Sequence, residues 1–289
     1  MIRIIDTLPQ INTLFDDKAF NIEKWESYIN SIYDESADIF KRDLKECLES
    51  GDYSWEKDIL PIINAVYGHP SLQAIQTSFH KVTNGLNERV KKCFHHELDV
   101  DIVLYLGLCN GAGWVTNING RDVILLGIEK ILELNWYDED SMYGLIYHEL
   151  GHVYHKQFGV FHQHSDDSAR KFVWQLFTEG IAMYFEQVLV GDFNYFHQNK
   201  DGWLNWCTEF FQQILADYYA DLPTMTRFTQ RYFGDWVDYC GRSDVGYFLG
   251  ARFVWHLCGK YDFDQLIQKG IDEIYQEFIA LKEKEARTK

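Results

Sequence analysis

The sequence Ser-Met-Tyr-Gly-Leu-Ile-Tyr-His-Glu-Leu-Gly-His-Val-Tyr-His occupies residues 141–155 and contains one formally charged side chain, Glu149. Most of its neighbours are apolar, and an unpaired charge is expensive to bury. A carboxylate at this position therefore needs a specific role. His148 precedes it directly and His152 follows three residues later, which gives the pattern His-Glu-x-x-His.

This spacing predicts a helix with a metal-binding face. Residues four apart lie one above the other on a helix, so the imidazoles of His148 and His152 can share one zinc ion at about 2.0–2.1 Å each. Glu149 lies about 100° around the helix, off the metal and near a water bound to it. Ser141 is the candidate N-cap, next to the acids of residues 138–140. The apolar residues that predict a largely buried helix are Met142, Leu145, Ile146, Leu150 and Val153.

A catalytic zinc usually has three protein ligands, so a third must come from elsewhere in the chain. The metzincin pattern requires a histidine six residues after His152, where this chain has Phe158. Cys109 lies upstream, as the cysteine ligand of deformylase-type enzymes does, but it lacks that family's surrounding residues. Glu179 is the strongest candidate, because it is the only charged residue of the stretch 172–185. Two solitary carboxylates on two apolar helices are explained together if both face one cation.

Both motifs together resemble the gluzincin clan of metallopeptidases. His152 is followed, after 26 intervening residues, by Glu179 within Thr-Glu-Gly-Ile-Ala-Met-Tyr-Phe-Glu at 178–186. This stretch is similar to the Asn-Glu-Gly-Phe-Ala-x-Tyr signature of the M1-type aminopeptidases and their relatives. More narrowly, the chain resembles bacterial families of predicted zinc-dependent proteases in that clan. The motif match covers about residues 141–186.

The resemblance implies a zinc-dependent hydrolase of peptide bonds. In it, His148, His152 and Glu179 bind one Zn²⁺ ion. Zinc activates a water and polarises the scissile carbonyl, and Glu149 is the general base that takes the proton of the water. The implied substrate is a peptide or a protein.

The oxyanion of the tetrahedral intermediate also needs a donor beside the metal. Relatives in the clan commonly use a downstream tyrosine or histidine, and the candidate here is Tyr247, in Asp-Val-Gly-Tyr-Phe-Leu-Gly at 244–250. An ordinary packed tyrosine is an equally good interpretation of Tyr247. Tyr239 and His256 are the alternatives for the donor.

The chain departs from the M1 pattern upstream of the motif helix. The M1 aminopeptidases have a Gly-x-Met-Glu-Asn strand whose glutamate holds the free amine of the substrate. The stretch 110–114 reads Asn-Gly-Ala-Gly-Trp and contains no acid. Aminopeptidase specificity is therefore unsupported, and an endopeptidase or a narrow processing enzyme fits the sequence no worse.

Further polar residues are candidates for supporting the ligands. His155 lies one turn beyond His152 on the same face, and we expect it in the core or behind the ligands. Ligating imidazoles normally donate their second N–H to a carboxylate or a carbonyl. The acids that could accept it are Asp166, Asp167 and Glu186. The polar stretch 162–167 is predicted to be an exposed loop.

The pattern around the motif predicts an α+β, mostly helical fold. A strand is predicted over 100–106, and Asn119–Gly120 between apolar runs at 114–118 and 122–126 indicates a hairpin. The stretch 111–118 is a candidate edge for binding a peptide as an added strand, or else an ordinary hairpin over the core. Helical segments are predicted over 21–50, 54–67, 71–94, 201–219 and 262–284. These elements predict an N-terminal helical region (1–98), a zincin-like catalytic core with a small sheet before the motif helix (99–190), and a C-terminal helical region that completes the cleft (191–289).

Composition narrows the class of partner. The formal net charge of −17 argues against nucleic acid, whose binding relies on clustered Lys and Arg. No apolar run approaches the roughly 20 residues of a membrane span. The first ten residues lack the form of a secretion signal, and the 6 cysteines are scattered, so we expect a cytoplasmic protein with reduced thiols.

Two other functional classes are open at this point. The first is a zinc protein of the same fold that hydrolyses a non-peptide substrate or binds a partner without turnover. The second is a metal-free interaction protein in which the motif residues form a buried polar cluster.

Overall fold

The structure is a computed structural model that describes residues 1–34, 36–49, 53–234 and 236–287. It divides into two compact units, Met1–Glu149 and Leu150–Lys289. Both are mostly helical, and the first also contains a four-stranded mixed sheet, so the predicted α+β, mostly helical class is confirmed. The three regions expected from the sequence, 1–98, 99–190 and 191–289, stay a prediction.

The first unit begins with a strand and ends within a long helix. Its elements are β1 (Arg3–Asp6), a 3₁₀ helix (Leu8–Leu14), β2 (Phe15–Asp16), β3 (Ala19–Phe20), α1 (Ile22–Ile32), α2 (Ala37–Glu49), a π-helix (Trp55–Ile59), α3 (Leu60–Asn64), α4 (Leu72–Thr83), α5 (Leu86–Phe94), β4 (Val100–Tyr105), β5 (Gly113–Ile118), β6 (Arg121–Gly127) and α6 (Ile128–Glu133). The next helix, α7 (Glu139–Phe158), continues without interruption past residue 149.

The second unit is made of helices and connecting loops. Its elements after α7 are α8 (Ser168–Val190), α9 (Trp203–Glu209), α10 (Phe211–Asp221), α11 (Val245–Cys258), α12 (Phe263–Leu266) and α13 (Ile271–Arg287). Helix α8 is its centre and packs most extensively against α11. Gly180 and Gly250 allow this approach, because a Cβ on Gly180 would lie 2.3 Å from the carbonyl oxygen of Gly250.

The four-stranded sheet has the order β1-β4-β6-β5. β4 is parallel to β1 and to β6, whereas β5 is antiparallel to β6. Every residue of β4 is buried, as expected for a central strand covered on both faces. The hairpin predicted at Asn119–Gly120 is confirmed, since both residues have the positive φ angles of a tight hairpin turn, 53° and 82°. No strand was predicted over residues 3–6, which form β1 by pairing with β4.

The predicted helical segments are present, but each is divided into two pieces. The segment 21–50 forms α1 and α2, 54–67 forms the π-helix and α3, 71–94 forms α4 and α5, 201–219 forms α9 and α10, and 262–284 forms α12 and α13. Residues 35 and 50 of the first segment lie outside the described residues. The breaks follow local backbone changes, such as the extended conformation of Tyr33 after α1 (φ −140°, ψ 123°), which apolar periodicity does not detect.

A buried carboxylate holds the loop between β4 and β5. Glu129, in the first turn of α6, accepts the N–H of Gly107 at 2.8 Å and the N–H of Cys109 at 3.0 Å. A Cβ at Gly107 would lie 2.6 Å from the Oε1 atom of Glu129, so the close fit requires glycine there. Burial raises the pKa of Glu129 to about 7, although both amide donors favour the ionised form.

Within the described residues, no helix is both long enough and apolar enough to span a bilayer.

We predict that Glu129→Gln removes part of the pH dependence of stability. The pKa of Glu129 rises from an ordinary 4.5 in the unfolded chain to about 7 in the folded one, so its protonation favours the folded state. The resulting stabilisation is complete below about pH 4.5 and is lost as the pH rises to about 7, by about 3 kcal/mol in total. Urea unfolding between pH 5 and 7.5 measures the slope.

The matched control is Glu133→Gln, which changes an exposed glutamate of the same helix. The control should retain the slope of the unchanged protein, and Glu129→Gln should flatten it. A slope that is the same in all three proteins would show that Glu129 does not titrate in this range.

Candidate metal centre

The motif helix α7 begins at a side-chain cap. The Oδ1 atom of Asp138 accepts the backbone N–H of Ser141 at 2.9 Å, and its Oδ2 atom accepts the hydroxyl of Ser141 at 2.8 Å. Asp138 is therefore the capping residue, and the prediction of Ser141 as the cap is wrong. Both residue types are good caps, and the three-residue reach of Asp138 to the amide decides between them.

Helix α7 is largely buried, as predicted. Four of its five named apolar residues are fully buried, Met142, Ile146, Leu150 and Val153, while Leu145 is half-buried. Two tyrosines of α7 make hydrogen bonds to residues outside the helix. The hydroxyl of Tyr147 donates to the carbonyl of Val82 at 3.2 Å, and the hydroxyl of Tyr154 donates to Asp264 at 2.9 Å.

Helix α8 carries the second motif and lies very close to α7. A Cβ on Gly151 would lie only 2.6 Å from the Cα of Ala182 and 3.1 Å from its carbonyl oxygen. Gly151 directly precedes the second motif histidine, and its lack of a side chain allows the backbones of α7 and α8 to come into contact. Asp167 caps α8 by accepting the N–H of Arg170 at 2.9 Å.

The two helices bring the predicted ligands together. His148, His152 and Glu179 each offer one ligand atom, and these atoms all lie within 4.8 Å of one another. The Nε2 atom of His152 lies 3.3 Å from the Oε2 atom of Glu179. His148 is buried, whereas the side chains of His152 and Glu179 are 17% and 19% exposed. The group is thus mostly enclosed, with small parts of His152 and Glu179 exposed.

The donor set, and the distance between His152 and Glu179, fit a zinc ion. Two imidazoles and one carboxylate are a ligand set of catalytic zinc sites, which keep a fourth position open. Ligand atoms at about 2.0–2.1 Å from a tetrahedral ion are about 3.3–3.4 Å apart. The distance of 3.3 Å between the Nε2 atom of His152 and the Oε2 atom of Glu179 matches this expected separation of two ligand atoms. The chain therefore contains a His/Glu group that could hold a metal ion, with the metal identity left to the proposal below.

A second group of possible ligands shares His148. Its other members are Glu186 and His197, and the three ligand atoms also lie within 4.8 Å of one another. Glu186 is fully buried, and its two oxygens lie 2.9 and 3.1 Å from the Nδ1 atom of His197. Glu186 was predicted as a possible partner of an imidazole. His197 was not predicted, because it lies in the loop after α8 and belongs to no motif.

The predicted general base, Glu149, lies on α7 beside the ligands. It is half-buried, and no ion pair to another side chain within the described ranges holds it.

The candidate oxyanion donors lie in different surroundings. Tyr247 is half-buried on α11, and its ring centroid lies 6.1 Å from that of His197. Tyr239 is fully buried and donates its hydroxyl to Asp217 at 2.8 Å. Burial lowers the pKa of His256, which lies near the end of α11. Tyr247 therefore lies beside the second group, and its role as the donor stays a prediction.

His155 lies in the core, one of the two places expected for it. It is fully buried, with Phe161 and Phe177 packed edge-on against its ring at centroid distances of 5.3 and 5.5 Å. Burial lowers its pKa to about 3, so the ring is neutral at physiological pH. It contributes an apolar surface beneath His152 rather than a charge.

The polar loop predicted over 162–167 is present and contains exposed residues. Asp166 is exposed, and Asp167 forms the cap of α8 and an ion pair with Arg170 at 3.1 Å. Of the three acids suggested as partners for the ligating imidazoles, Glu186 is the one found in a group with His148.

Comparison with protein-family models, curated proteins and solved structures finds no match for this chain. The gluzincin resemblance therefore depends on the two motifs alone.

We predict that Gly151→Ala weakens both the fold and metal binding. The added Cβ would overlap the backbone of Ala182 and force α7 and α8 apart, which costs about 1–3 kcal/mol and separates His152 from Glu179. Chemical unfolding and a zinc competition titration measure the two effects. Gly270→Ala is the control, because its Cβ would meet one atom, at 3.7 Å. Equal stability and equal zinc affinity in Gly151→Ala would contradict the close helix contact.

We also predict that the three ligand positions act as one site. Protein loaded with zinc and then dialysed should retain one ion per chain, whereas His152→Ala and Glu179→Ala should each retain none. The reason is that a site with two remaining ligands loses most of the binding free energy of three. Elemental analysis measures the content, and His162→Ala, in the exposed loop, is the control. Full zinc content in Glu179→Ala would exclude Glu179 as a ligand.

Proposed function

We propose that this protein is a zinc-dependent peptidase of the gluzincin type, with a zincin-like catalytic unit. The observation that carries the proposal is the approach of His152 and Glu179, which come from two helices and lie 3.3 Å apart in a group with His148. Two half-buried carboxylates on two apolar helices thereby acquire distinct roles. In this proposal Glu179 binds the metal, and Glu149 accepts a proton and later donates it.

Bound zinc would supply a Lewis acid that polarises a carbonyl and lowers the pKa of water. The residues of this chain supply the rest. His148, His152 and Glu179 hold the ion and leave one position open to the exposed side of the group. The fully buried His155 and its aromatic neighbours lie beyond His152 and exclude water from that side.

Glu149 is the proposed general base. It follows His148 directly in α7, so its carboxylate projects about 100° away from the ligand face and does not compete for the metal. Its carboxylate is half-buried and has no ion-pair partner among the residues described, so it can accept a proton and deliver it to the departing amine.

Tyr247 is the proposed donor to the oxyanion. Its neighbour His197 belongs to the second group, which shares His148 with the metal group. Tyr239 is a poorer candidate because its hydroxyl is engaged by Asp217. A hydroxyl beside the metal stabilises negative charge that develops on the carbonyl oxygen.

The edge strand β5 is the proposed binding site for the peptide backbone. It is the last strand of the sheet, with a neighbour on one side. Its first residue, Gly113, lies against α7, since a Cβ there would be 3.1 Å from the Cδ2 atom of Leu145. Leu145 lies one turn before Glu149, so a peptide added to β5 runs past the motif helix.

The edge strand also bears on specificity. The loop before β5 contains no acid that could hold a free amine, and its nearest carboxylate, Glu129, is buried and engaged by Gly107 and Cys109. We therefore favour cleavage within a chain over removal of its first residue. A mass-spectrometric screen with a peptide library distinguishes the two, because only an aminopeptidase needs a free N-terminus.

We predict that Glu149→Gln keeps its zinc and loses its activity. Glutamine preserves the shape of the side chain but cannot accept the proton, which should lower peptide cleavage by about 10²–10⁴-fold. The screen measures cleavage, and elemental analysis measures zinc. Glu139→Gln, in the first turn of the same helix, is the control and should cleave at the normal rate.

Three outcomes decide the proposal. Normal turnover in Glu149→Gln would refute the role of Glu149. Zinc binding without cleavage of any peptide by the unchanged protein would favour a non-peptide substrate or a partner. Protein that binds no zinc would favour the metal-free interaction protein.

A further inference from the structure

We infer that His197 is a positioning residue that acts through Glu186 on the metal ligand His148. This inference rests on the proposed function, because it assumes that His148 binds the ion. It assigns a role to a histidine in the loop between α8 and α9 that belongs to neither motif.

The first support is the burial of Glu186. This carboxylate is fully buried on the mostly apolar helix α8, where an uncompensated charge would be strongly unfavourable. His197 supplies compensation, since its Nδ1 atom lies 2.9 and 3.1 Å from the two carboxylate oxygens. A side-chain hydrogen bond between Glu186 and His197 thus connects helix α8 to the loop that follows it.

The second support is the direction of the hydrogen bonds. The amide nitrogen Nε2 of Gln198 lies 2.7 Å from the Nε2 atom of His197. An amide NH₂ group donates, so this ring nitrogen is assigned as the acceptor, and the Nδ1 atom then carries the proton. His197 therefore donates to Glu186 in a fixed orientation.

The third support is the position of Glu186 relative to the metal group. Glu179 and Glu186 are two turns apart on one face of α8, and His152 and His148 are one turn apart on α7. Glu179 lies beside His152, and Glu186 belongs to the group of His148. Ligating imidazoles normally donate their second N–H to a carboxylate, which fixes the tautomer and the orientation of the ring. The ligand atoms of Glu186 and His148 lie within 4.8 Å of each other, and in our inference Glu186 is this acceptor when His148 binds the ion.

The distances favour positioning over a second metal ion. Donor–acceptor distances of 2.9 and 3.1 Å between His197 and Glu186 lie within the hydrogen-bond range. Adjacent ligands of one zinc ion would be about 3.3–3.4 Å apart. The assigned proton on the Nδ1 atom also occupies the lone pair that a metal would need.

The test measures metal binding rather than turnover. His197→Phe retains a ring that can pack against Tyr247 but removes the donor to Glu186. His197→Asn retains an N–H group near the position of Nδ1. Zinc affinity is measured by competition with a chelator, and the geometry at the metal by the visible absorption spectrum of Co²⁺-substituted protein.

We expect His197→Phe to bind zinc about 10–100-fold more weakly and to have a shifted Co²⁺ spectrum. His197→Asn should restore most of the affinity and the original spectrum. Glu186→Gln is the second variant, which retains an acceptor and the side-chain volume, and it should change the spectrum in the same direction if His197→Phe does not fold.

Three results would overturn the inference. The first is an unchanged affinity and spectrum in both His197→Phe and Glu186→Gln. The second is two ions per chain in the unchanged protein and one in His197→Phe, which would indicate a second metal site. The third is no metal binding by the unchanged protein, which would also end the proposed function. Metal binding without peptide cleavage would refute the proposed peptidase activity alone and leave this test valid.

Discussion

The close contact between α7 and α8 is the constraint on which the candidate site depends. Gly151 removes the side chain that would otherwise separate the helices, and the backbone at Ala182 fills the space. Two ligands on one helix cannot complete a catalytic zinc site, because a third donor is needed. The contact brings Glu179 to within 3.3 Å of His152, although 26 residues separate them along the chain.

Three glutamates of the described residues, buried or half-buried, have different groups next to them. Glu129 accepts two backbone amides and keeps a raised pKa of about 7. Glu186 accepts from an imidazole. Glu179, whose side chain is 19% exposed, lies 3.3 Å from the Nε2 atom of His152 in a group that could hold a metal ion. The unfavourable burial of a carboxylate is thus offset by backbone amides at Glu129 and by an imidazole at Glu186.

The elements that the sequence predicted well have short-range signals. The strand over 100–106, the hairpin at Asn119–Gly120 and the buried motif helix follow from local patterns. The errors have local and non-local causes. The cap of α7 was assigned to Ser141 instead of Asp138, and every predicted helical segment is divided. Strand β1 was missed because its four residues gain their partner from β4, which lies almost a hundred residues later.

The sequence by itself determined the chemistry that this protein carries: two histidines one helical turn apart, with a carboxylate directly after the first and another beyond 26 intervening residues. Helical periodicity is sufficient for the first pair, because four residues complete about one turn. The tertiary structure decided which distant groups join them. It placed Glu179 beside His152 and His197 beside Glu186, because the packing of helices and loops, rather than spacing along the chain, sets those distances.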